Sequence, residues 1–183
     1  MKTTNKLLEK YVDKVFVSFP ESEKYFKNQD KLVITGNPIR KSFLVCGMNN
    51  SREKMKVKAT EFVILCFGGS LGSGKINSTM VRVIEAVNGM PDTRLFFITG
   101  KYYYQKVCDT FKEANIVLNE NINILEYADN MHEYLSASDL VISRAGALTV
   151  SEITACGKAA ILIPSPNVTG NHQYYNARVV ADK

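Results

Sequence analysis

The sequence predicts an α/β fold, a doubly wound parallel sheet with helices on both faces. Three observations lead there. Phe62–Phe67 (FVILCF), Arg94–Thr99 (RLFFIT) and Ala159–Ile163 (AAILI) are continuous apolar runs rather than alternating ones. That is the pattern of strands covered on both faces. Between such runs the spacing turns helical, as at Ile76, Met80, Val83, Ile84 and Val87. Glycines punctuate the junctions at Gly68–Gly74, Gly100, Gly146 and Gly157. Strands alternating with helices form parallel sheets by crossover connections.

In order along the chain, Asn5–Tyr11 reads as the tail of a helix and Asp13–Phe19 as a short strand. Pro20–Glu23 starts a further short helix, with proline in its first turn. Leu32–Thr35 is a second strand, closed by Gly36-Asn37-Pro38, where the Asn-Pro step forces a loop. Residues 1–37 offer too little sequence to bury these strands, so they are expected to be the remnant of a larger N-terminal domain, with exposed strand edges prone to self-association or disorder. An autonomous domain is expected over residues 38–183. Lys41–Thr60 is polar and mixed, and ends in a charged connector.

From Glu61 the pattern is regular. The strand Phe62–Phe67 leads into the glycine-rich loop Gly68–Gly74, and a helix over Ile76–Val87 is stopped by Asn88-Gly89. A strand over Arg94–Thr99 and a helix over Tyr102–Ala114 follow. Ile116–Leu118 and Ile122–Leu125 are short strand candidates. Met131–Ala137 reads as helix, Asp139–Ser143 as strand, Leu148–Cys156 as helix, Ala159–Ile163 as strand and His172–Ala181 as the last helix.

The totals exclude several function classes. The chain has 183 residues, 45% hydrophobic and 22% charged, with a net charge of +5. That suits one soluble globular domain plus a fragment. The positive charge is interleaved with acids, densest at Arg52–Lys58, and forms no basic and aromatic stripe, so no nucleic-acid partner is expected. Cys46, Cys66, Cys108 and Cys156 are too scattered for a CxxC pair and read as reduced, mostly buried thiols. With only His132 and His172 as histidines, no metal site is expected. Met1–Lys14 lacks the apolar stretch of a signal peptide, and no apolar run approaches the roughly 20 residues of a membrane span. Membrane association is therefore expected to be peripheral.

The chemistry belongs at the carboxyl ends of the strands, where open parallel sheets bind ligands. Ser143–Glu152 (SRAGALTVSE) joins a strand to a helix through Arg144–Ala147, and Gly146 is expected to permit an awkward backbone. Such a turn aims helix N-terminal N–H groups at one spot, where phosphate binds. Glu152 lies further along, where a carboxylate could receive two sugar hydroxyls. An ordinary strand-to-helix turn, capped by Thr149 or Ser151 and carrying a dipole-complementing Glu152, explains the same residues. Arg144 could pair with phosphate or cover the sheet end.

In Gly68–Gly74 (GGSLGSG) glycines let the backbone approach phosphate, and Ser70 or Ser73 could donate a hydroxyl. A tight turn whose glycines only shorten the connection is the other reading. Gly69–Lys75 satisfies the triphosphatase loop up to its lysine, but Ile76 stands where Ser or Thr should hold magnesium. The dinucleotide fingerprint GxGxxG fits in no frame. Asn171-His172-Gln173-Tyr174-Tyr175-Asn176 opens a helix with donors and acceptors suited to sugar hydroxyls, or with a polar cap followed by packing tyrosines. His172 has no visible acid partner that would make it a general base. These residues speak for binding a phosphorylated ligand more clearly than for catalysis.

Four stretches occur in order: Thr35–Arg40 (TGNPIR), Gly68–Gly72 (GGSLG), Ser143–Glu152 (SRAGALTVSE) and Asn171–Ala177 (NHQYYNA). Together, over essentially the whole chain, they closely resemble the MurG family, the UDP-N-acetylglucosamine (UDP-GlcNAc) transferases that make lipid II for bacterial peptidoglycan. The resemblance implies the GT-B architecture, two Rossmann-like domains across a cleft, with this chain supplying the C-terminal donor domain. It implies an inverting hexosyltransferase that uses UDP-GlcNAc, needs no metal and takes no further cofactor. The acceptor, lipid I, and a peripheral contact with the cytoplasmic face of the cell membrane would belong to the N-terminal domain.

Carried over by position, Arg40 and Ser70 resemble diphosphate contacts, and Ala128 the residue whose backbone reads uracil. Ala147, Leu148 and Thr149 resemble the helix start that faces the phosphates. Glu152 resembles the ribose ligand, and Gln173, beside His172, the contact to GlcNAc. Where many family members have Asp, this chain has Gly170. The glycine-rich acceptor loop with its histidine is absent, as are the stretch that precedes Thr4-Asn5-Lys6 in the family and the far C-terminal helix. Catalytic residues are therefore expected outside this chain, which would be soluble and turn over poorly alone. A donor-binding subunit of a two-chain UDP-GlcNAc transferase, a GT-B glycolipid synthase and a sugar-nucleotide epimerase remain alternatives.

Overall fold

A computed structural model describes residues 3–182. The chain forms two compact units, Met1–Ile39 and Arg40–Lys183.

The first unit contains helix α1 (Thr3–Leu8), continued by a 3-10 turn at Glu9–Tyr11, and two short strands, β1 (Val15–Val17) and β2 (Leu32–Ile34). Pro20–Tyr25 is a 3-10 helix rather than an α-helix, with proline at its start. The two strands pair in parallel, Phe16 opposite Val33. Glu9 is buried and accepts the Lys27 and Asn28 N–H groups at 2.8 and 2.6 Å. That carboxylate satisfies a turn that has no ladder partner.

The second unit begins with two short helices, α2 (Ser42–Val45) and α3 (Met48–Lys54). The polar, mixed stretch Lys41–Thr60 thus holds two helices that its composition does not announce. Phe43, Ser51, Arg52 and Val57 are buried within the domain. The sequence disguised this because Arg52, in the densest basic run, serves the interior. Its guanidinium donates to the Ala137, Ala59 and Glu61 carbonyls and pairs with Asp139 at 2.6 Å. Asp139 in turn accepts the Val63 N–H at 2.7 Å.

The remaining elements follow the sequence pattern. They are β3 (Phe62–Phe67), α4 (Gly74–Val87), β4 (Thr93–Ile98), α5 (Tyr104–Glu113), β5 (Ile122–Leu125), α6 (Met131–Ala137), β6 (Leu140–Arg144), α7 (Ala147–Ala155), β7 (Ala159–Ile163) and α8 (His172–Ala181). Ile116–Leu118 is not a strand; Asn115 just before it has a φ of +54°, and the Ile116 N–H is spent on Phe111 O. The chain there closes α5 instead of joining the sheet.

The five strands run parallel in the order β5-β4-β3-β6-β7. On one face α4 and α5 bury Ile76, Met80, Ile84, Val107 and Phe111 against Cys66, Leu95 and Phe97. On the other, Tyr134 of α6 stacks edge-on against Phe96, whose ring points opposite to its neighbours Leu95 and Phe97. Helices therefore cover both faces, as the unbroken apolar strands required. Burial pushes the Cys66 thiol up to about 12, which makes it an inert core residue.

The amino ends of the strands are closed by charge. Burial alone would push the Glu61 carboxyl up, but the Lys58 N–H at 2.6 Å and the Arg94 guanidinium at 2.8 Å hold it below its usual value. The carboxyl ends are left for a site. The strand order reverses between β3 and β6, so the loops after those two strands flank the crevice where such sheets take their ligands.

Candidate functional site

The loop after β6 is short. Arg144 ends the strand, and Ala147 begins α7 after Ala145 and Gly146. Gly146 has φ −65° and ψ 144°, an ordinary extended backbone, so the expected awkward conformation is absent. A Cβ added there would meet Thr149 Oγ1 at 3.5 Å, a normal contact. Gly146, at the N-cap of α7, has no side chain to cap the helix, and neither Thr149 nor Ser151 stands at that position. The Ser151 hydroxyl donates backwards to Ala147 O at 3.0 Å. The first N–H used within the helix is that of Val150, donated to Gly146 O. Leu148 and Thr149, whose N–H groups precede it, have no acceptor in their own helix. The Leu148 side chain stands exposed.

Glu152 lies further along α7 and is half-buried. Its carboxylate makes no hydrogen bond among the described residues. Burial pushes its carboxyl above the usual range, and the Arg40 charge pulls the other way. Arg40 is exposed at the start of the second unit, with its guanidinium 4.9 Å from the centre of the Phe43 ring. That cation–π seat holds a flexible side chain in one place. The Phe43 ring meets His132 of α6 edge-on at 6.0 Å, and Phe43 O accepts from the Cys156 thiol at 3.4 Å. One neighbourhood thus joins the start of α6, Arg40 and the Glu152 face of α7. Ala128 lies half-buried in the loop that runs from β5 into α6.

The loop after β3 uses its glycines for close packing. A Cβ on Gly72, at φ +77°, would lie 2.1 Å from Thr99 O, and one on Gly100 would lie 2.5 Å from Gly72 N. The Gly68–Gly74 loop is therefore locked against the end of β4. Buried Asn77 of α4 adds a hydrogen bond to Thr99 O at 3.0 Å. Ser73 is buried, and its oxygen is engaged within the frame. Its oxygen caps α4 by accepting the Ile76 N–H at 3.5 Å, and it also accepts from Arg144 at 2.8 Å. Ser70 remains exposed at the loop tip, and its hydroxyl makes no hydrogen bond among the described residues.

Of the two uses foreseen for Arg144, the structure realises the cover over the sheet end. Its other nitrogen donates to Ile163 O at 3.3 Å and Pro164 O at 3.1 Å, just beyond β7. Gln173 of α8 accepts the Ser165 N–H at 2.9 Å through Oε1, which leaves its amide NH2 as the end able to donate. His172 stands exposed beside it. Asn171 adopts φ +51° and Gly170 φ +67°, left-handed positions that Asn and Gly tolerate. Asn176 was grouped with the sugar-binding polar residues, but it is 8% exposed and donates to Ala145 O at 3.0 Å. It ties α8 to the β6–α7 turn.

The sequence reading missed Arg144 as a three-way tie, Asn176 as a strut and the interlock of Gly72 with Gly100. One signal was legible: Asn176 sits three residues after Gln173 and so shares its helix face. Among the described residues, no group of three acidic, His or Cys side chains could hold a metal, and no helix is long and apolar enough to cross a membrane.

Comparison with known proteins gives one consistent answer. Residues 63–183 match the glycosyltransferase family 28 C-terminal domain. A curated UDP-N-acetylglucosamine–N-acetylmuramyl-(pentapeptide) pyrophosphoryl-undecaprenol N-acetylglucosamine transferase from Caldanaerobacter subterraneus is 45% identical over 177 residues, which is 97% of this chain and 48% of that protein. The enzyme of the same name from Clostridioides difficile is 42% identical over 179 residues, 97% of this chain and 43% of its own length. The chain thus spans about half the length of the curated relatives it matches. The crystal structure of MurG from Acinetobacter baumannii superposes with a TM-score of 0.65 at 26% identity, covering 100% of this chain and 48% of that one. A UDP-GlcNAc 2-epimerase from Neisseria meningitidis shares the fold at 14% identity, with a TM-score of 0.61.

Proposed function

Because the chain belongs to glycosyltransferase family 28 through the C-terminal domain at residues 63–183, we propose that it binds UDP-GlcNAc as the donor half of a GT-B hexosyltransferase. The reaction served is transfer of GlcNAc, with inversion, to undecaprenyl-pyrophosphoryl-MurNAc-pentapeptide, converting lipid I to lipid II in peptidoglycan synthesis. The observation that carries this reading is the neighbourhood of Glu152. A half-buried carboxylate with no hydrogen bond among the described residues lies in the field of Arg40, on the helix that follows β6. A nucleotide sugar fits both: hydroxyls for the carboxylate, phosphates for the guanidinium and the helix start.

In this reading the Glu152 carboxylate accepts two ribose hydroxyls and the Ala128 backbone reads uracil. The start of α7 at Ala147, Leu148 and Thr149 faces the diphosphate, flanked by Arg40 and Ser70. The Gln173 amide NH2, beside His172, donates to GlcNAc. Arg40 and the helix start supply the positive potential that a metal provides elsewhere, so no metal or other cofactor enters the proposal. The acceptor and the group that takes its proton are assigned to a second domain, for which the longer relatives have room. Contact with the cytoplasmic face of the membrane is peripheral and made through that domain; nucleic acid is no partner.

Isothermal titration of the chain with UDP-GlcNAc tests this. Binding is expected, and Glu152→Ala should weaken it at least about tenfold, or ~1.4 kcal/mol. ATP should give no heat. Absence of heat at millimolar UDP-GlcNAc, or undiminished binding by the Glu152 variant, would rule the reading out.

A further inference from the structure

We propose that Arg144 is a positioning residue, a guanidinium tie that makes the three loops around the donor site move as one body. The inference rests on the donor-site reading only for its consequence in binding. Arg144 ends β6, at the reversal of strand order. One nitrogen reaches Ser73 Oγ at 2.8 Å in the loop after β3, and the other reaches Ile163 O and Pro164 O at 3.3 and 3.1 Å after β7.

Each attachment continues into a helix. Ser73 Oγ also holds the Ile76 N–H, so the start of α4 follows the position of the guanidinium. Beyond Pro164, the Ser165 N–H is held by Gln173 Oε1, so the first turn of α8 follows it too. The loop of Arg144 itself is tied to α8 through Ala145 O and Asn176. The planar fork reaches acceptors on two sides at once, which the single ammonium of lysine does not. Its acceptors among the described residues are neutral oxygens, and it forms no ion pair among those residues. Its charge is therefore not neutralised by a carboxylate among those residues.

Amide hydrogen exchange of the ligand-free chain reads the coupling directly. In Arg144→Lys, exchange should rise about tenfold together in Ser73–Ile76 and in residues 165–171, the scale expected when one or two hydrogen bonds to a charged donor are lost. The core of β3 and β6, at Leu65 and Val141, should keep its protection. A general loss of stability would raise exchange everywhere; a change confined to one loop, or to neither, overturns the proposal. Ser73→Ala leaves the guanidinium in place and serves if the Arg144 variant fails to fold. Residues 165–171 should exchange faster there too, and unchanged exchange at that distant loop overturns the coupling. Donor titration separates the two ideas. Failure of the wild-type chain to bind UDP-GlcNAc would sink the donor reading, while the ligand-free exchange still decides the tie.

Discussion

Glu152 shows what a single residue gives up for a site. A surface acid near a helix start is ordinarily stabilising. Here burial pushes the carboxyl above its usual range, with only partial relief from Arg40. The folded state therefore carries a cost whenever this group is ionised. The sign follows from the raised value: the cost is full above the folded-state value and vanishes as the pH falls through it to the unfolded value. Glu152→Gln should leave the chain as stable or more stable at neutral pH, and the difference should close by about pH 4. Urea titration at both pH values measures this; a destabilised variant at neutral pH would contradict it. The same substitution should weaken UDP-GlcNAc binding, so stability and affinity move in opposite directions, as expected where function holds a group in an unfavourable state. Which residue to suspect was legible from its place after a strand and a helix start. Its missing hydrogen bonds and its nearness to Arg40, more than a hundred positions earlier, were not.

At the scale of elements, the strands and helices from Glu61 onward were legible because each announces itself locally. Buried parallel strands are unbroken apolar runs, and helices repeat every three to four residues. The loops were less legible, because glycine has more than one reason to be present. Gly146 was expected to need an unusual backbone and does not have one; Gly72 was read for phosphate approach, yet it is pressed against Thr99 O. These reasons predict different costs. Gly72→Ala combines a left-handed φ with a clash against backbone and should destabilise by about 2–5 kcal/mol. Gly146→Ala should cost less than about 1 kcal/mol, since its φ suits any residue and the added methyl finds open contact. Thermal unfolding of the two variants checks the contrast, and equal losses would refute it. The two helices within Lys41–Thr60 were not legible for a related reason. Charge composition reports the average surface, and the buried Arg52–Asp139 pair lies 87 positions apart in sequence.

At the scale of the whole chain, the two units differ in how they bury themselves. Unit Arg40–Lys183 buries apolar residues on both faces of its sheet, Cys66 and Phe97 on one and Leu65 and Phe96 on the other. Unit Met1–Ile39 has two strands of three residues, with Phe16 69% and Ile34 51% exposed. A two-stranded sheet with exposed apolar residues is marginal and invites further pairing. Sedimentation velocity should show association that grows with concentration, and Phe16→Lys should reduce it; a wild-type chain that stays monomeric at its solubility limit would contradict this. The sequence by itself determined the fold class and the elements of the sheet from Glu61 onward. It also determined the family, because four short motifs in fixed order identify it without any contact being known. Only the tertiary structure decided which of the polar residues hold the frame. Ser73, Arg144 and Asn176 read as candidates for phosphate or sugar, yet each is hydrogen-bonded to loops brought together by the reversal of strand order. A donor is spoken for only by what stands opposite it in space, and the sheet sets those partners at separations of 31 and 71 positions, which no local pattern encodes.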